Sequence, residues 1–217
     1  MDEQVVAKLA ASTPAAIIVD DFLDNPDEIR RFALRQQFQE NKEYHKGERT
    51  KERFLWPGVK ERFEQLLGKR INLWEHHGFN GVFQWCKAGD QIVFHSDQQR
   101  YAGVIYLTPE APPEAGTTLY RSKECKGRTV EESMKLMAYC PASASGTVQL
   151  DWQQVEMQMY KGKLLDPTAW EVVDVFGNVY NRLVIWNAHL VHAASCYFGE
   201  TKENARLFQM FFFDTET

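Results

Sequence analysis

A histidine and an aspartate lie two positions apart where an apolar run ends, in the segment Gln91-Ile-Val-Phe-His95-Ser96-Asp97. Residues i and i+2 of a strand point to the same side, so His95 Nε2 and a carboxylate oxygen of Asp97 could converge on one metal ion. With 6 histidines and 11 aspartates in 217 residues, chance supplies about 0.3 such pairs per chain. The pair alone therefore also fits a strand-end histidine that is only hydrogen-bonded to Asp97.

Two more histidines follow a second apolar run. The strand-like segment Leu183–Trp186 precedes His189 and His192. Either histidine could close on the His95/Asp97 pair from across a barrel. Two histidines and one carboxylate on one face of a metal, with its other positions open, form the facial triad of non-haem Fe(II) sites.

An arginine begins the last apolar strand. Arg206 lies 14 residues after His192 and is followed by the run Leu207–Phe213. A buried guanidinium is costly without an anion. A dicarboxylic cosubstrate would supply one, because the planar guanidinium matches a carboxylate with two parallel hydrogen bonds. The alternative is a structural ion pair with Asp97 or Glu171.

The segments that must position these residues are mostly short and β-like. Pro26 begins a predicted helix that reaches about Glu40, and Pro57 begins a second helix that Gly68 ends. Residues 41–53 are highly charged and are predicted to form a mobile surface segment. Helices followed by many short strands favour a mainly β sandwich or barrel with flanking helices. The predicted strands are 15–23, Ile71–Trp74, Gly81–Cys86, Gln91–Phe94, Ala102–Leu107, Thr117–Tyr120, Arg182–Trp186 and Ala205–Phe213.

Composition excludes several classes of protein. Hydrophobic residues make up 44% and aromatic residues 13%, which provides ample core material, and the net charge is −5. An acidic balance argues against a dedicated nucleic-acid binder, although the basic segment 43–70 leaves a local groove open. The four cysteines form no CxxC pair, so no structural zinc site is expected. No run approaches 18 apolar residues and the N-terminus lacks a signal-like apolar core, so a cytoplasmic protein with no membrane span is expected.

Taken in order, these motifs resemble those of the Fe(II)- and 2-oxoglutarate-dependent dioxygenases, in particular the prolyl-4-hydroxylase-like branch. The resemblance covers about residues 71–214, less the segment 123–170. The opening Asp20-Asp21-Phe22-Leu23 and Asn25-Pro26 is also similar to the start of many such enzymes. The motifs that carry it are His95-Ser96-Asp97, Ile105-Tyr106-Leu107, Ala115-Gly116-Thr117-Thr118-Leu119-Tyr120, Leu183–Trp186 through His192, and Arg206.

The resemblance implies a double-stranded β-helix, or jelly roll of cupin-like shape, with iron at its mouth. His95, Asp97 and His192 would be the metal ligands, and the spacing after Trp186 favours His192 over His189. Arg206 and Tyr106 would hold the distal carboxylate of 2-oxoglutarate. O₂ would be the second cosubstrate. Further candidate residues around the site are His189, Trp186 and Thr118.

The chain is accordingly expected to be one oxygenase domain over 1–217. Residues 1–70 would give an N-terminal strand and supporting helices, and 71–214 a jelly-roll core with 123–170 as an insertion or lid that includes helices at 129–139 and 151–160. The expected reaction is hydroxylation with release of succinate and CO₂. A peptide or protein side chain is the favoured substrate, a small molecule stays open, and the oligomeric state is not indicated. The alternatives are a cupin-like metalloenzyme that does not use 2-oxoglutarate and a non-catalytic binding module.

Overall fold

The computed structural model of the protein describes residues 14–40, 47–138 and 151–216. Two β-sheets face each other, and helices pack on their outer sides. The strands are β1 (Ala16–Val19), β2 (Phe38–Glu40), β3 (Glu48–Thr50), β4 (Ile71–Asn72), β5 (Phe83–Cys86), β6 (Tyr101–Tyr106), β7 (Thr117–Ser122), β8 (Trp170–Phe176), β9 (Leu183–Asn187), β10 (His192–Ala194) and β11 (Arg206–Thr215). The helices are α1 (Pro26–Leu34), α2 (Val59–Leu67), α3 (Val130–Ala138) and α4 (Trp152–Tyr160). Within these ranges, no helix combines the length and the apolar character needed to cross a membrane.

The chain crosses repeatedly between the two sheets. The larger sheet has the strand order β1-β9-β6-β11-β5-β3-β2, with β4 paired to the end of β11, and the smaller sheet has the order β10-β7-β8. The strand pairs are antiparallel, and the chain changes sheet after β6, β8, β9 and β10. This two-sheet arrangement is a jelly roll. The predicted double-stranded β-helix with flanking helices is confirmed.

Strand β11 shows how the sequence divides between two apolar layers. Phe208 and Met210 belong to the core between the sheets, whereas Phe211 and Phe213 belong to the core beneath the helices. This alternation follows the two-residue period of a strand. The Phe63 ring of α2 packs edge-on against Phe211 and at a tilt against Phe213, with ring centroids 5.1 Å and 5.6 Å apart. The outer face of the larger sheet is therefore covered by helices, and its inner face is available to build a cavity.

The segment after α1 differs from its prediction. The helix ends at Leu34 instead of about Glu40, because Arg35 and Gln36 donate to carbonyls three residues back and close the last turn. Phe38 then pairs with Thr50 in the β2–β3 hairpin. Residues 41–46 of the predicted mobile segment lie outside the described part. For Glu48–Thr50 the prediction of a mobile surface segment is wrong, because β3 pairs with β5 and buries Arg49.

Two further strands, β8 and β10, were not predicted from the sequence, and one predicted strand, 91–94, is not a regular strand. Residues 91–94 form no ladder, although the Phe94 amide donates to the Leu164 carbonyl at 2.8 Å. Strand β8 was not predicted from the sequence. Its central residues, including Val172 and Val175, are exposed, so burial does not alternate along this strand. Strand β10 is only three residues long and carries the candidate ligand His192.

The predicted insertion packs beside the loop that carries His95. Its helices α3 and α4 match the predicted helical stretches, and residues 139–150 lie outside the described part. Phe94, Trp170 and Met159 share a third apolar cluster with the smaller sheet. A function of this segment as a lid stays a prediction.

Candidate metal centre

Three side chains converge at the mouth of the jelly roll. The possible ligand atoms of His95, Asp97 and His192 all lie within 4.8 Å of one another. His95 Nε2 is 3.7 Å from Asp97 Oδ1, and His192 Nε2 is 3.3 Å from Asp97 Oδ2. Within the described part of the chain, no other histidine, cysteine or acidic residue belongs to this group. Two imidazoles and one carboxylate form a donor set suited to a non-haem Fe(II) ion.

Both histidines are held in one tautomer. His95 Nδ1 lies 2.9 Å from the Val93 carbonyl, and His192 Nδ1 lies 2.8 Å from the Leu190 carbonyl. A carbonyl oxygen only accepts, so each neutral ring carries its proton on Nδ1. The lone pair is then on Nε2, the nitrogen that faces Asp97. This arrangement is typical of metal-binding histidines.

The site opens to solvent on one side. The side chain of His192 exposes 6% of its surface, whereas that of His95 exposes 36%. Partial desolvation by the protein atoms packed around the imidazole, followed by the proximity of His192, holds the pKa of His95 below its usual value. The neutral form of His95, which is the form that binds metal, is therefore favoured.

Contacts from two directions fix the loop that carries His95 and Asp97. The Asp97 amide donates to the Ala188 carbonyl at 2.8 Å. The Tyr160 hydroxyl of α4 donates to Ser96 Oγ at 2.8 Å. Burial raises the pKa of Tyr160 to about 12, so the phenol stays protonated and can donate. The loop is thus positioned by the larger sheet on one side and by the predicted insertion on the other.

The two other aromatic candidates occupy different places. His189 is exposed, and its Nε2 lies 3.3 Å from the Gln98 carbonyl, away from the cluster. Trp186 is buried and makes an edge contact with the ring of His192, with centroids 5.1 Å apart. Trp186 therefore contributes to the wall of the site, and His189 does not reach it.

A partly open cavity begins at the three converging side chains and continues between the sheets. Apolar side chains of the larger sheet form much of its wall, and two arginines, Arg49 and Arg206, contribute the cationic groups. The remaining side chains along the wall include Gln84, Val93, Val104, Thr117, Trp186, Tyr197, Phe208, Met210 and Phe212.

Arg206 is buried at the base of this cavity, with 3% of its surface exposed. Its Nε donates to the Ala115 carbonyl at 3.1 Å, and its Nη2 donates to the Gly116 carbonyl at 3.2 Å. Neither Asp97 nor Glu171 pairs with it, because Asp97 faces the histidines and Glu171 pairs with Arg121. Among the described residues, Arg206 has no carboxylate partner, which leaves its charge available for an anionic ligand.

The pleat of β7 places its two threonines on opposite sides of the strand, and Thr117 is the one that faces Tyr106 of β6. The Tyr106 hydroxyl lies 2.9 Å from Thr117 Oγ1, and Arg206 Nη2 lies 3.4 Å from the same oxygen. Thr118 faces the other side, where its Oγ1 is 2.7 Å from Ser195 Oγ. Thr117, which was not a candidate from the sequence, is therefore the threonine of β7 that lines the cavity.

Arg49 was also missed from the sequence. Its side chain is 6% exposed, and its Nε donates to Gln84 Oε1 at 2.5 Å. Burial lowers the pKa of Arg49 to about 10, so the guanidinium stays charged at neutral pH. The surrounding run of charged residues resembles an exposed surface, and only the pairing of β3 with β5 reveals that Arg49 lies inside.

Several solved structures are similar to this chain. The chain is similar to HygX from Streptomyces hygroscopicus, whose crystal structure holds nickel, 2-oxoglutarate and hygromycin B, with 10% identity, a TM-score of 0.51, and coverage of 97% of this chain and 86% of that one. A prolyl-4-hydroxylase from Pseudomonas putida matches at 13% identity and a TM-score of 0.44, over 99% of both chains. A Trichoplax adhaerens prolyl hydroxylase in complex with a peptide fragment of hypoxia-inducible factor matches at 12% identity and a TM-score of 0.46, over 98% of this chain and 88% of that one.

No protein-family model and no curated protein sequence matches the chain. At 10% identity and a TM-score of 0.51, the likeness to HygX shows the fold alone, and that fold agrees with the jelly roll described above.

Proposed function

We propose that the protein is an Fe(II)- and 2-oxoglutarate-dependent oxygenase that hydroxylates a substrate and releases succinate and CO₂. One observation carries the proposal. The Nε2 atoms of two histidines and the carboxylate of Asp97 converge within 4.8 Å at one end of a cavity that also holds a buried arginine without a carboxylate partner. A metal site and an anion site in one cavity are what a chelating 2-oxo acid requires.

The three converging side chains fit a divalent metal. Both imidazoles present an unprotonated Nε2, and Asp97 supplies one negative charge. His95, Asp97 and His192 would hold Fe(II) and leave the positions opposite them open. Bound iron, 2-oxoglutarate and O₂ would supply the oxidative chemistry, in which decarboxylation of the 2-oxo acid is coupled to hydroxylation of the substrate.

The remaining residues would bind and orient the cosubstrate. Arg206 would neutralise its distal carboxylate, and Tyr106 and Thr117 would donate hydrogen bonds to the same group. The apolar inner face of the sheet, including Val104 and Met210, would exclude water from the reacting end. The substrate would enter on the open side, next to His95.

An anaerobic absorption titration tests this proposal. Fe(II) is added to the metal-free protein, followed by 2-oxoglutarate. We expect a weak metal-to-ligand charge-transfer band that needs both additions. His192→Ala should abolish the band, and Arg206→Ala should shift its formation to higher 2-oxoglutarate concentration. His189→Ala is the matched control, because this exposed histidine lies three residues from His192 and should leave the band unchanged.

The titration also separates the rival functions. Tight Fe(II) binding without a band would indicate a cupin-like metalloenzyme that does not use 2-oxoglutarate. Absence of Fe(II) binding would overturn the proposal and indicate a binding module on the same barrel. If the band forms, succinate release can be used to screen small molecules and peptides as substrates.

A further inference from the structure

The proposed chemistry uses Arg206 but gives Arg49 no role. Arg49 lies on β3, which pairs with β2 at one edge of the larger sheet. Its buried guanidinium lines the same cavity as the three candidate ligands. The guanidinium carbon lies 4.8 Å from the centroid of the Phe79 ring. Its Nη1 is buried and has no hydrogen-bond partner among the described residues, and no acidic side chain of that part of the chain pairs with Arg49. A charged group in this condition is costly unless a ligand satisfies it.

Arg49 and Arg206 define two separate places in the cavity. Arg49 pairs in register with Gln84 of β5, and Gln84 pairs in register with Phe208 of β11. One complete strand therefore separates the two arginine-bearing strands, so their backbones lie about 10 Å apart. A single distal carboxylate held by Arg206 would leave Arg49 unsatisfied.

The sum of the charges in the cavity also indicates that Arg49 is left without an anion. Two guanidinium groups and one carboxylate, that of Asp97, line it. The distal carboxylate of 2-oxoglutarate would offset Arg206, and its second carboxylate together with Asp97 would offset a divalent metal. One positive charge then remains, at Arg49.

We propose that Arg49 binds a carboxylate of the prime substrate and thereby selects anionic substrates. The inference rests on the proposed function, since it concerns the substrate of that same site. Gln84 occupies Nε, so the end of the guanidinium formed by Nη1 and Nη2 is the part left for a ligand. This end matches the two oxygens of a carboxylate. Apolar side chains nearby, such as Met210 and Phe212, would contact the rest of the substrate.

The backbone before Arg49 fixes where the guanidinium lies. Gly47 has a φ of +97°, and a Cβ at this position would lie 2.4 Å from the Trp85 carbonyl oxygen. Only glycine allows β3 to approach β5 this closely. The position of Arg49 is thus set by the sheet, which is the rigid support that a specificity-determining residue requires.

Calorimetric titration of matched acid and amide probes tests the inference without catalysis. The protein is loaded with Zn(II), which is redox-inert, and saturated with 2-oxoglutarate so that the Arg206 subsite is filled. The probes are acetate, phenylacetate and hippurate, each against its primary amide, and a capped tripeptide with a central glutamate against its glutamine counterpart. We expect at least one acid to bind about tenfold or more tightly than its amide, as a charge-assisted hydrogen bond allows. The small acids and the tripeptide distinguish a small-molecule from a peptide source of the carboxylate.

Variants then assign the preference to Arg49. Arg49→Gln should reduce the affinity of the acid to that of its amide and leave the affinity for 2-oxoglutarate within about twofold. Arg49→Lys retains the positive charge but lacks the two parallel N–H donors of the guanidinium, so it should give an intermediate affinity for the acid. Arg53→Gln is the matched control, because Arg53 is exposed on the same segment and donates to the backbone carbonyls of Glu75 and His77.

Two results would overturn the inference. The first is failure of every acid in the panel to bind more tightly than its amide. The second is an Arg49→Gln variant that loses affinity for 2-oxoglutarate and not for the acid, which would assign Arg49 to the cosubstrate. If the protein binds neither metal nor 2-oxoglutarate, the proposed function fails, but the acid preference can still be measured in the metal-free protein.

Discussion

His95 and His192 are paired through both of their backbone groups. The His95 amide donates to the His192 carbonyl at 3.1 Å, and the His192 amide donates to the His95 carbonyl at 2.8 Å. Directly opposed residues of an antiparallel pair project to the same side. The two imidazoles therefore lie next to each other, with ring centroids 4.5 Å apart, and the pairing of their backbones is an isolated bridge outside the named strand ladders. The backbone thus sets the separation of two candidate ligands before any metal binds.

The tautomers of these histidines can be read directly by NMR. In the metal-free protein at pH 7.5, long-range ¹H–¹⁵N correlation spectra should show His95 and His192 with a protonated Nδ1 and an unprotonated Nε2, because each Nδ1 faces a backbone carbonyl. On acidification His95 should titrate at a pH below about 6.5, the ordinary histidine value. The reason is that burial and the neighbouring His192 disfavour its charged form.

This shift also fixes the sign of a stability effect. Between the lowered pKa of folded His95 and its ordinary value, the unfolded chain binds more protons, so the free energy of unfolding falls as the pH decreases through that window. The contribution of His95 is complete above about pH 6.5. A His95 titration at or above the value measured in urea-unfolded protein would contradict the prediction, as would a protonated Nε2.

Tyr160 is expected to act on the metal site as a positioning residue. Tyr160→Phe removes the hydrogen bond to Ser96 Oγ, which lies between His95 and Asp97. A neutral hydrogen bond contributes about 0.5–1.5 kcal/mol, so the affinity for Co(II), measured by absorption titration, should fall by about twofold to tenfold. The succinate produced at saturating metal should change little.

Tyr180→Phe provides the control for this experiment. The Tyr180 hydroxyl donates to Asp27 in α1, away from the cavity, and its removal should leave Co(II) affinity unchanged. Equal losses in both variants would show that the effect is general destabilisation and not positioning of the loop.

The part of the site that the sequence predicted is the part with a local signature. His95 and Asp97 are two residues apart, and Arg206 begins a strand whose alternation is visible along the chain. His95, Asp97 and Arg206 come to lie in one cavity with His192 because the chain crosses between the two sheets. Only the resemblance to a known family predicted these crossings. The choice between His189 and His192 could not be made from periodicity, because the turn after β9 determines which histidine faces inward.

The missed residues lack such a signature. Arg49 lies among charged residues and is buried only because β3 pairs with β5, a strand more than 30 residues away in sequence. Thr117 and Thr118 are neighbours of the same type, and the pleat of β7 alone decides which one lines the cavity. The prediction of a strand over 91–94 was wrong. The apolar residues of this segment pack in the cluster beside α4, but its backbone forms no ladder.

Tyr106→Phe should weaken binding of 2-oxoglutarate and not of metal. The change removes the hydroxyl that faces Thr117 beside Arg206, so the proposed distal carboxylate loses one donor. We expect about twofold to tenfold higher 2-oxoglutarate concentration at half-formation of the absorption band. Tyr101→Phe is the matched control, because Tyr101 lies on the same strand but stacks on Phe213 in the outer core. Equal effects in both variants would count against a role for Tyr106 in the cavity.

Gly116 should be intolerant of any side chain for reasons of space. A Cβ at this position would lie 1.8 Å from the Phe176 carbonyl oxygen, so alanine must force β7 away from β8. Such overpacking typically costs about 1–3 kcal/mol, which urea denaturation measures as a lower midpoint with an unchanged slope. The same displacement would move the Gly116 carbonyl that accepts from Arg206 and should raise the 2-oxoglutarate requirement. Gly78→Ala is the control, because nothing lies within 4 Å of its Cβ position. A Gly116→Ala protein as stable as Gly78→Ala would refute the close approach of the two strands.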